Sequence, residues 1–464
     1  MDVKSVLNTE DMMKQDTAEE VHFNAWYDVE RIKSAKALLV GVFRDPAEKA
    51  VAEDHLAELD LLAQTHKITV IERWCTIIRE FSAATFLSAG KVEQLQERAQ
   101  ASGANLVIFD DEISPVQQRN LERLLKMPVM DRTEVILGVF ADRAKTREAK
   151  LQIEVAQVKY IAPRLKRMWL HLSRQAGSGG GVGGGGYLRG KGEKQIEMDR
   201  RALKRRLERL ERELVVVAQN RRTQRHRRER EGIPVFAIIG YTNAGKSTLM
   251  NHLTKAGVLV EDKLFATLDT TTRKFLLPNH QHILMTDTVG FIRKLPHLLV
   301  AAFKSTLEEA VDADILLHLI DSSHPLALEQ AQTTMEVLSE LNAKDAPIIT
   351  VINKIDLSQP ESASAQRATI QKLRMSYPKS VQVSALTGEG FEELFAAMCE
   401  AIKDRRRRVL LRIPQSEYGV VAHLISEGNI LSQEYEENDI VIDAELPLPY
   451  AEQLSNYACV REPA

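Results

Sequence analysis

The sequence predicts a multidomain α/β protein: an N-terminal α/β domain with a long helical hairpin, a P-loop domain, and a small α+β C-terminal domain. Three observations carry that prediction. Apolar runs alternate with stretches of helical spacing in two separate regions of the 464-residue chain. Two heptad-spaced seams flank a glycine-rich stretch between those regions. The apolar run Val235–Ile239 leads at once into a phosphate-loop pattern and a helical segment. At roughly 150 residues per domain, the length suits about three domains.

Charge is segregated along the chain. The formal net charge is only −3, from 62 Lys+Arg against 65 Asp+Glu. Residues 1–30 carry two Lys and eight acids, and residues 409–464 two Arg and ten acids. Between Arg200 and Arg230 stand thirteen basic residues and four Glu, net +9. Acidic ends around a basic middle point to a polyanionic partner. No apolar run reaches the ~18–20 residues of a membrane span. The polar start, with Asp2, Glu10, Asp11 and Asp16, does not read as a signal peptide. Cys75, Cys399 and Cys459 are too few and too scattered for a disulfide framework or a metal site. The expected location is cytoplasmic.

Residues 1–30 read as an acidic tail, and 31–140 as the N-terminal domain. In it, Ala37–Phe43, Lys67–Trp74 and Asn105–Phe109 are strand candidates, alternating with helical stretches 47–66 and 90–102. That order implies a largely parallel sheet. Residues 141–232 form the expected hairpin. Leu151, Val155, Val158, Ala162, Leu165, Trp169 and Leu172 make the first seam, which Pro163 should kink or interrupt. Leu203, Leu207, Leu210, Leu214 and Val217 make the second. Ten of the 23 glycines fall within 177–192, either a flexible linker or a backbone that approaches a ligand closely, with Arg189, Lys191 and Lys194 nearby. The basic stretch 200–230 exceeds what pairing on a solvated helix face needs, which favours contact with a polyanion. Residues 233–405 are the P-loop domain and 406–464 the C-terminal piece, with β-like Val409–Ile413 and Ile440–Ala444 around a helical 418–426. The run Arg405–Arg408 has two equal readings, a charge at a helix C-terminus or a contact to RNA.

The chemistry lies in four motifs, each after an apolar run. Gly240, Tyr241, Thr242, Asn243, Ala244, Gly245, Lys246 and Ser247 form the P-loop. Its glycines let backbone N–H groups curl around a β-phosphate. Lys246 is placed for the β/γ oxygens and the Ser247 hydroxyl for Mg²⁺. After Ile283–Met285 come Asp287, Thr288, Val289 and Gly290, where a carboxylate can hold the Mg²⁺ shell and Gly290 offers its N–H to the γ-phosphate. After Ile348–Ile352 come Asn353, Lys354, Ile355 and Asp356. The Asp356 carboxylate can accept both N1–H and the 2-amino group of guanine, and adenine offers neither. After Val381–Val383 come Ser384, Ala385 and Leu386, placed for the guanine oxygen. Four such motifs in order specify a Ras-like G domain that binds GTP and GDP. A switch threonine completing the Mg²⁺ shell must lie between Ser247 and Asp287, and spacing leaves Thr267, Thr270, Thr271 and Thr272 open. Phe291 stands where Ras-like enzymes carry a water-orienting glutamine. Asn243 gives the loop a GxxNxGK[ST] form, similar to that of GTPases that hold K⁺ beside the phosphates.

From about residue 37 onward the chain resembles the HflX family of ribosome-associated GTPases. The resemblance rests on Asp131-Arg-Thr-Glu-Val-Ile-Leu, on Arg143 to Gln152, and on Gly192-Glu-Lys-Gln-Ile-Glu-Met-Asp-Arg-Arg201. It rests also on Leu264-Phe265-Ala266-Thr267-Leu268-Asp269 and on Asp287 to Pro296. The glycine-rich stretch departs from the family's GGIGTRGPGE: it is longer and has Lys191 in place of the proline. The resemblance favours Thr267 as the switch threonine. The candidate metal ligands are then Ser247 and Thr267, and the candidate catalytic residues Lys246, Asn243, Thr267 and Gly290. It also implies a partner in the 50S ribosomal subunit and its ribosomal RNA, and splitting of 70S ribosomes under stress. With Phe291 unable to orient water, weak intrinsic hydrolysis is expected, and the chain is expected to be a monomer. Two rivals use the same residues: an assembly GTPase on immature large subunits, and a scaffold that dimerises through the seams.

Overall fold

The computed structural model describes residues 35–164, 187–230, 233–254, 264–265, 268, 270–296, 311–341, 346–357, 363–427, 429–436 and 438–459. The acidic tail 1–30 lies outside them. The chain divides into two compact units, Met1–Val215 with Pro296–Ala302, and Val216–Leu295 with Phe303–Ala464.

The first unit holds a parallel sheet of β1 (Lys36–Phe43), β2 (Thr69–Ile77), β3 (Leu106–Phe109) and β4 (Val129–Asp131), in the order β2-β1-β3-β4. Leu38, Leu39, Val40, Val107, Ile108 and Phe109 are fully buried, as expected of parallel strands covered on both faces. The helices are α1 (Lys49–Thr65), α2 (Ala89–Ser102), α3 (Pro115–Leu125) and α4 (Arg132–Arg143). Ser114 and Gln117 form a reciprocal capping box that starts α3, with Pro115 at its first position. Asp131 ends β4 and caps α4, accepting from Glu134 N at 2.9 Å. α5 (Arg147–Ile161) starts at the Thr146 cap and passes into a 3₁₀ turn at Ala162–Arg164, where Pro163 was expected to interrupt it.

α6 (Tyr187–Arg230) is one helix of 44 residues. It begins inside the stretch 177–192, so Gly190 and Gly192 are helical, drawn in by the helix-forming Glu, Lys, Gln and Arg that follow. Leu165, Trp169, Leu172 and the glycines before Tyr187 lie outside the described residues. Of the seams, Leu151, Val155, Val158, Leu203 and Leu210 are buried, while Leu207, Leu214 and Val217 are half-buried. Ion pairs join α5 to α6: Glu154 with Arg206, Lys159 with Glu211 at 2.8 Å, and Arg147 with Glu213 at 3.0 Å.

The second unit holds a six-stranded sheet in the order β10-β9-β8-β5-β7-β6. Its strands are β5 (Val235–Gly240), β6 (Thr271–Leu276), β7 (His282–Asp287), β8 (Ile315–Asp321), β9 (Ile348–Asn353) and β10 (Val381–Gln382). Only β6 runs antiparallel to its neighbour. α7 (Lys246–Thr254), α8 (Ala327–Glu340), α9 (Ala363–Ser376) and α10 (Phe391–Ala401) accompany it. Its core gathers Phe236, Ile238, Leu249, Met285, Leu317, Val351, Val383 and Leu394.

The C-terminal piece is an antiparallel sheet, β11 (Arg406–Pro414), β13 (Asp439–Pro447) and β12 (Asn429–Glu436) in that order, with α11 (Tyr418–Glu427) and α12 (Leu448–Gln453). β12 was not anticipated. Most of the Arg405–Arg408 run is engaged within the unit. Arg405 pairs with Asp314 Oδ1 at 2.7 Å, Arg406 donates to the carbonyls of Asn279 and Glu445, and Arg408 pairs with Asp443 at 2.6 Å. The second oxygen of Asp314 accepts from Val235 N at 2.8 Å, the first residue of β5.

Candidate functional site: a phosphate loop and a base edge

Four loops meet at the C-terminal ends of β5, β7, β9 and β10. The first, Gly240–Ser247, turns through residues of positive φ: Gly240 at +149°, Asn243 at +60° and Gly245 at +95°. A Cβ at Gly240 would strike the Leu319 carbonyl, and one at Gly245 the Asn353 amide. Glycine is therefore required at both positions. Lys246 opens α7 and is buried, with Nζ donating to Gly240 O at 3.1 Å and Tyr241 O at 2.7 Å. Burial lowers its pKa to about 8; the Asp287 carboxylate opposes the shift and Lys354 adds to it. A phosphate brought to this ammonium supplies negative charge and restores the charged form.

Asp287 ends β7 beside Ile238 of β5 and is fully buried. Its Oδ2 accepts from Ser247 Oγ at 2.7 Å. Thr288 Oγ1 donates to Ile238 O at 2.7 Å, Val289 is buried, and Gly290 lies against the phosphate loop. A Cβ at Gly290 would stand 2.9 Å from both Lys246 Nζ and Thr242 Cα, so the backbone approach depends on glycine. Thr242 N donates to Phe291 O at 2.7 Å, and Phe291 N to Gly240 O at 3.0 Å. The Phe291 ring is 1% exposed, so it packs in the interior. Tyr241 OH accepts from Arg293 N at 2.8 Å and holds the same segment.

Asn353, 1% exposed, ties the loops together. Its Nδ2 donates to Ala244 O at 2.8 Å and its Oδ1 accepts from Ala385 N at 2.9 Å. Ser384 Oγ donates to Asp356 Oδ1 at 2.6 Å, setting one oxygen of the candidate base-reading carboxylate. Ala385 is buried, Leu386 exposed, and Ile355 N donates to Val383 O at 3.4 Å. Lys354 has φ +62° and its Nζ lies 2.7 Å from Asp321 Oδ2. Ser322, which donates to Asn353 O at 2.8 Å, and Gln366, which donates to Ser322 Oγ and Lys354 O, form an outer ring that sequence reasoning missed. The signal available for Asp321 was an acid closing an apolar strand.

Of the segment 264–269, Phe265 and Leu268 are buried, while Ala266, Thr267 and Asp269 lie outside the described residues. Thr271 and Thr272 belong to β6, where Thr272 Oγ1 is 3.0 Å from Thr286 Oγ1. Among the described residues no group of three or more His, Cys, Asp or Glu side chains gathers around one point. The Ser247 hydroxyl and Asp287 carboxylate are hard oxygen donors, which suits Mg²⁺ bound largely through water and phosphate.

Three family descriptions match in order: "GTP-binding GTPase N-terminal" over residues 53–141, "GTP-binding GTPase Middle Region" over 143–228, and "50S ribosome-binding GTPase" over 235–354. The chain is 48% identical over 414 residues to a GTPase HflX of Chlamydia pneumoniae, covering 89% of this chain and 86% of the relative. It is 46% identical to one of Akkermansia muciniphila, covering 92% and 97%, and 40% identical to one of Escherichia coli, covering 82% and 85%.

Proposed function

The chain belongs to the HflX family of GTPases, and from that premise we propose that it binds the large ribosomal subunit and, in its GTP-bound form, splits 70S ribosomes under stress. The observation that carries the ribosomal part is the charge of α6: thirteen basic residues against four Glu between Arg200 and Arg230. The matched description of the domain over residues 235–354 as a 50S ribosome-binding GTPase supports the same partner.

In the proposed cycle, backbone N–H groups of Gly240–Ser247 cradle the phosphates and Lys246 holds the β/γ oxygens. Asn353 keeps the phosphate and base loops in register through its two hydrogen bonds. Asp356 accepts the guanine N1–H and 2-amino protons. Ser247, Asp287 and Thr267 would hold Mg²⁺, which would supply positive charge against the phosphate oxygens. Asn243 would serve a K⁺ ion. Gly290 carries the γ-phosphate signal into the segment that Phe291 and Arg293 pin to the loop. With Phe291 apolar and buried, no side chain at that position orients water, so hydrolysis is slow until the large subunit completes the site.

Sedimentation of ribosomes with the protein tests the reading. GTP or a non-hydrolysable analogue should convert 70S to 50S and 30S, and GDP should not. Binding to immature large subunits with 70S left intact would instead identify an assembly factor. Large subunits should accelerate hydrolysis, and equal rates in sodium and potassium buffers would remove the K⁺ site.

A further inference from the structure

We propose that Asp321 is a positioning residue of the guanine edge, acting through Lys354. The proposal rests on the reading of Asn353–Asp356 as the base site. β8 ends at Asp321, which stands in register with Asn353 of β9. Asp321 Oδ2 lies 2.7 Å from Lys354 Nζ. Its Oδ1 accepts from Ser323 N at 2.9 Å and from Ser323 Oγ at 2.6 Å. Both oxygens are thus fixed, and the side chain is only 11% exposed, so the ammonium meets a rigid anion rather than a swinging one.

The backbone of Lys354 is constrained as well. Its φ of +62° is unfavourable for a residue with a side chain, and its carbonyl accepts from Gln366 Nε2 at 3.0 Å. A lysine has a long, flexible stem, and tethering both ends removes that freedom before a ligand arrives. The tethered stem then forms a fixed apolar wall two residues from Asp356, where a purine ring can lie against it. Losing Asp321 should therefore weaken binding that depends on the base and leave attraction for a bare polyphosphate intact.

The test is a double-mutant cycle on the full chain, read by equilibrium binding of GDP and by competition with inorganic tripolyphosphate. Wild-type preference for GDP over ADP is measured first, and its absence would overturn the guanine site itself. Given that preference, Asp321→Ala should weaken GDP binding by about tenfold. Lys354→Ala should weaken it at least as much, and the double variant no further than Lys354→Ala alone. Asp321→Asn keeps an acceptor for Ser323 and should recover part of the loss. Tripolyphosphate competition should not weaken in Asp321→Ala. Additive losses in the cycle, equal loss of GDP and tripolyphosphate, or unchanged GDP affinity in folded Asp321→Asn and Asp321→Ala would each overturn the proposal.

Discussion

Both large sheets bury charged groups at the C-terminal ends of their parallel strands, and the two sets of charges do opposite things. In the N-terminal sheet they close on one another. Asp131 accepts from Glu134 N and Tyr160 OH on one oxygen, and pairs with Arg164 at 3.3 Å on the other. Arg164 donates in turn to Gln118 Oε1, Tyr160 O and Ile113 O, and its guanidinium lies 3.7 Å from the Tyr160 ring centroid. Arg132 pairs with Asp110 at 2.9 Å and with Glu58. In the six-stranded sheet, Lys246 folds back onto its own phosphate loop, while Asn353, Ser247 and Ser384 reach from one loop to the next around glycines at positive φ. The same topological position yields cement where an acid caps the following helix, and a ligand cradle where glycines bend the chain back over the strand ends.

Substitutions separate the two roles, and the largest effect should come from the cement. Arg164→Met leaves the Asp131 carboxylate buried without its cation and should cost about 3–5 kcal/mol in urea unfolding of the first unit. GTP affinity should not change, and a parallel loss of affinity would break the distinction. The deficit should shrink in acid. Burial raises the Asp131 pKa to about 6, with Arg164 opposing, so the folded state favours the protonated acid. That contribution is full below the unfolded value of 3.8 and fades as pH climbs through about 6.

In the cradle, function and stability should move in opposite directions. Lys246→Met should slow GTP hydrolysis by about 10²–10³-fold. In nucleotide-free protein the same change should raise thermal stability at pH 7. The folded-state pKa near 8 lies below the ordinary 10.5, so burial penalises the ammonium below about pH 8, and the penalty fades between about 8 and 10.5. The advantage of the variant should disappear over that window. A smaller effect is expected from Asn353→Ala, which unties the phosphate loop from the base loop and should weaken GDP binding by about 1–3 kcal/mol in calorimetry. The smallest is Arg405→Ala. Its guanidinium is half exposed, so the Asp314 pair should contribute under about 1 kcal/mol to chemical unfolding.

The cradle was largely legible in the sequence because each motif is contiguous and follows its own strand. Asp321 was not, since an acid at a strand end has no neighbouring residue that marks it, and its partner lies on the next strand. In the fold, β1 and α1 announced themselves by unbroken and periodic apolar runs. The stretch Pro115–Arg143 did not, and within it Arg132–Phe140 is buried on every side, polar residues included. The engagements of Arg405 and Arg408 escaped for another reason: their carboxylates sit at Asp314 and Asp443, far along the chain. Thr267, placed by resemblance, lies outside the described residues.

Asp314 has a consequence for how such a chain can be assembled. One carboxylate holds Val235, where the nucleotide-binding domain begins, and Arg405, where it ends. A domain whose two ends meet behaves as a cassette: it can be inserted into a host chain, or reconnected end to end and reopened elsewhere, without altering its interior. Joining residue 405 to residue 235 through a short linker and opening the chain in an exposed loop should give a permuted domain that still binds GDP.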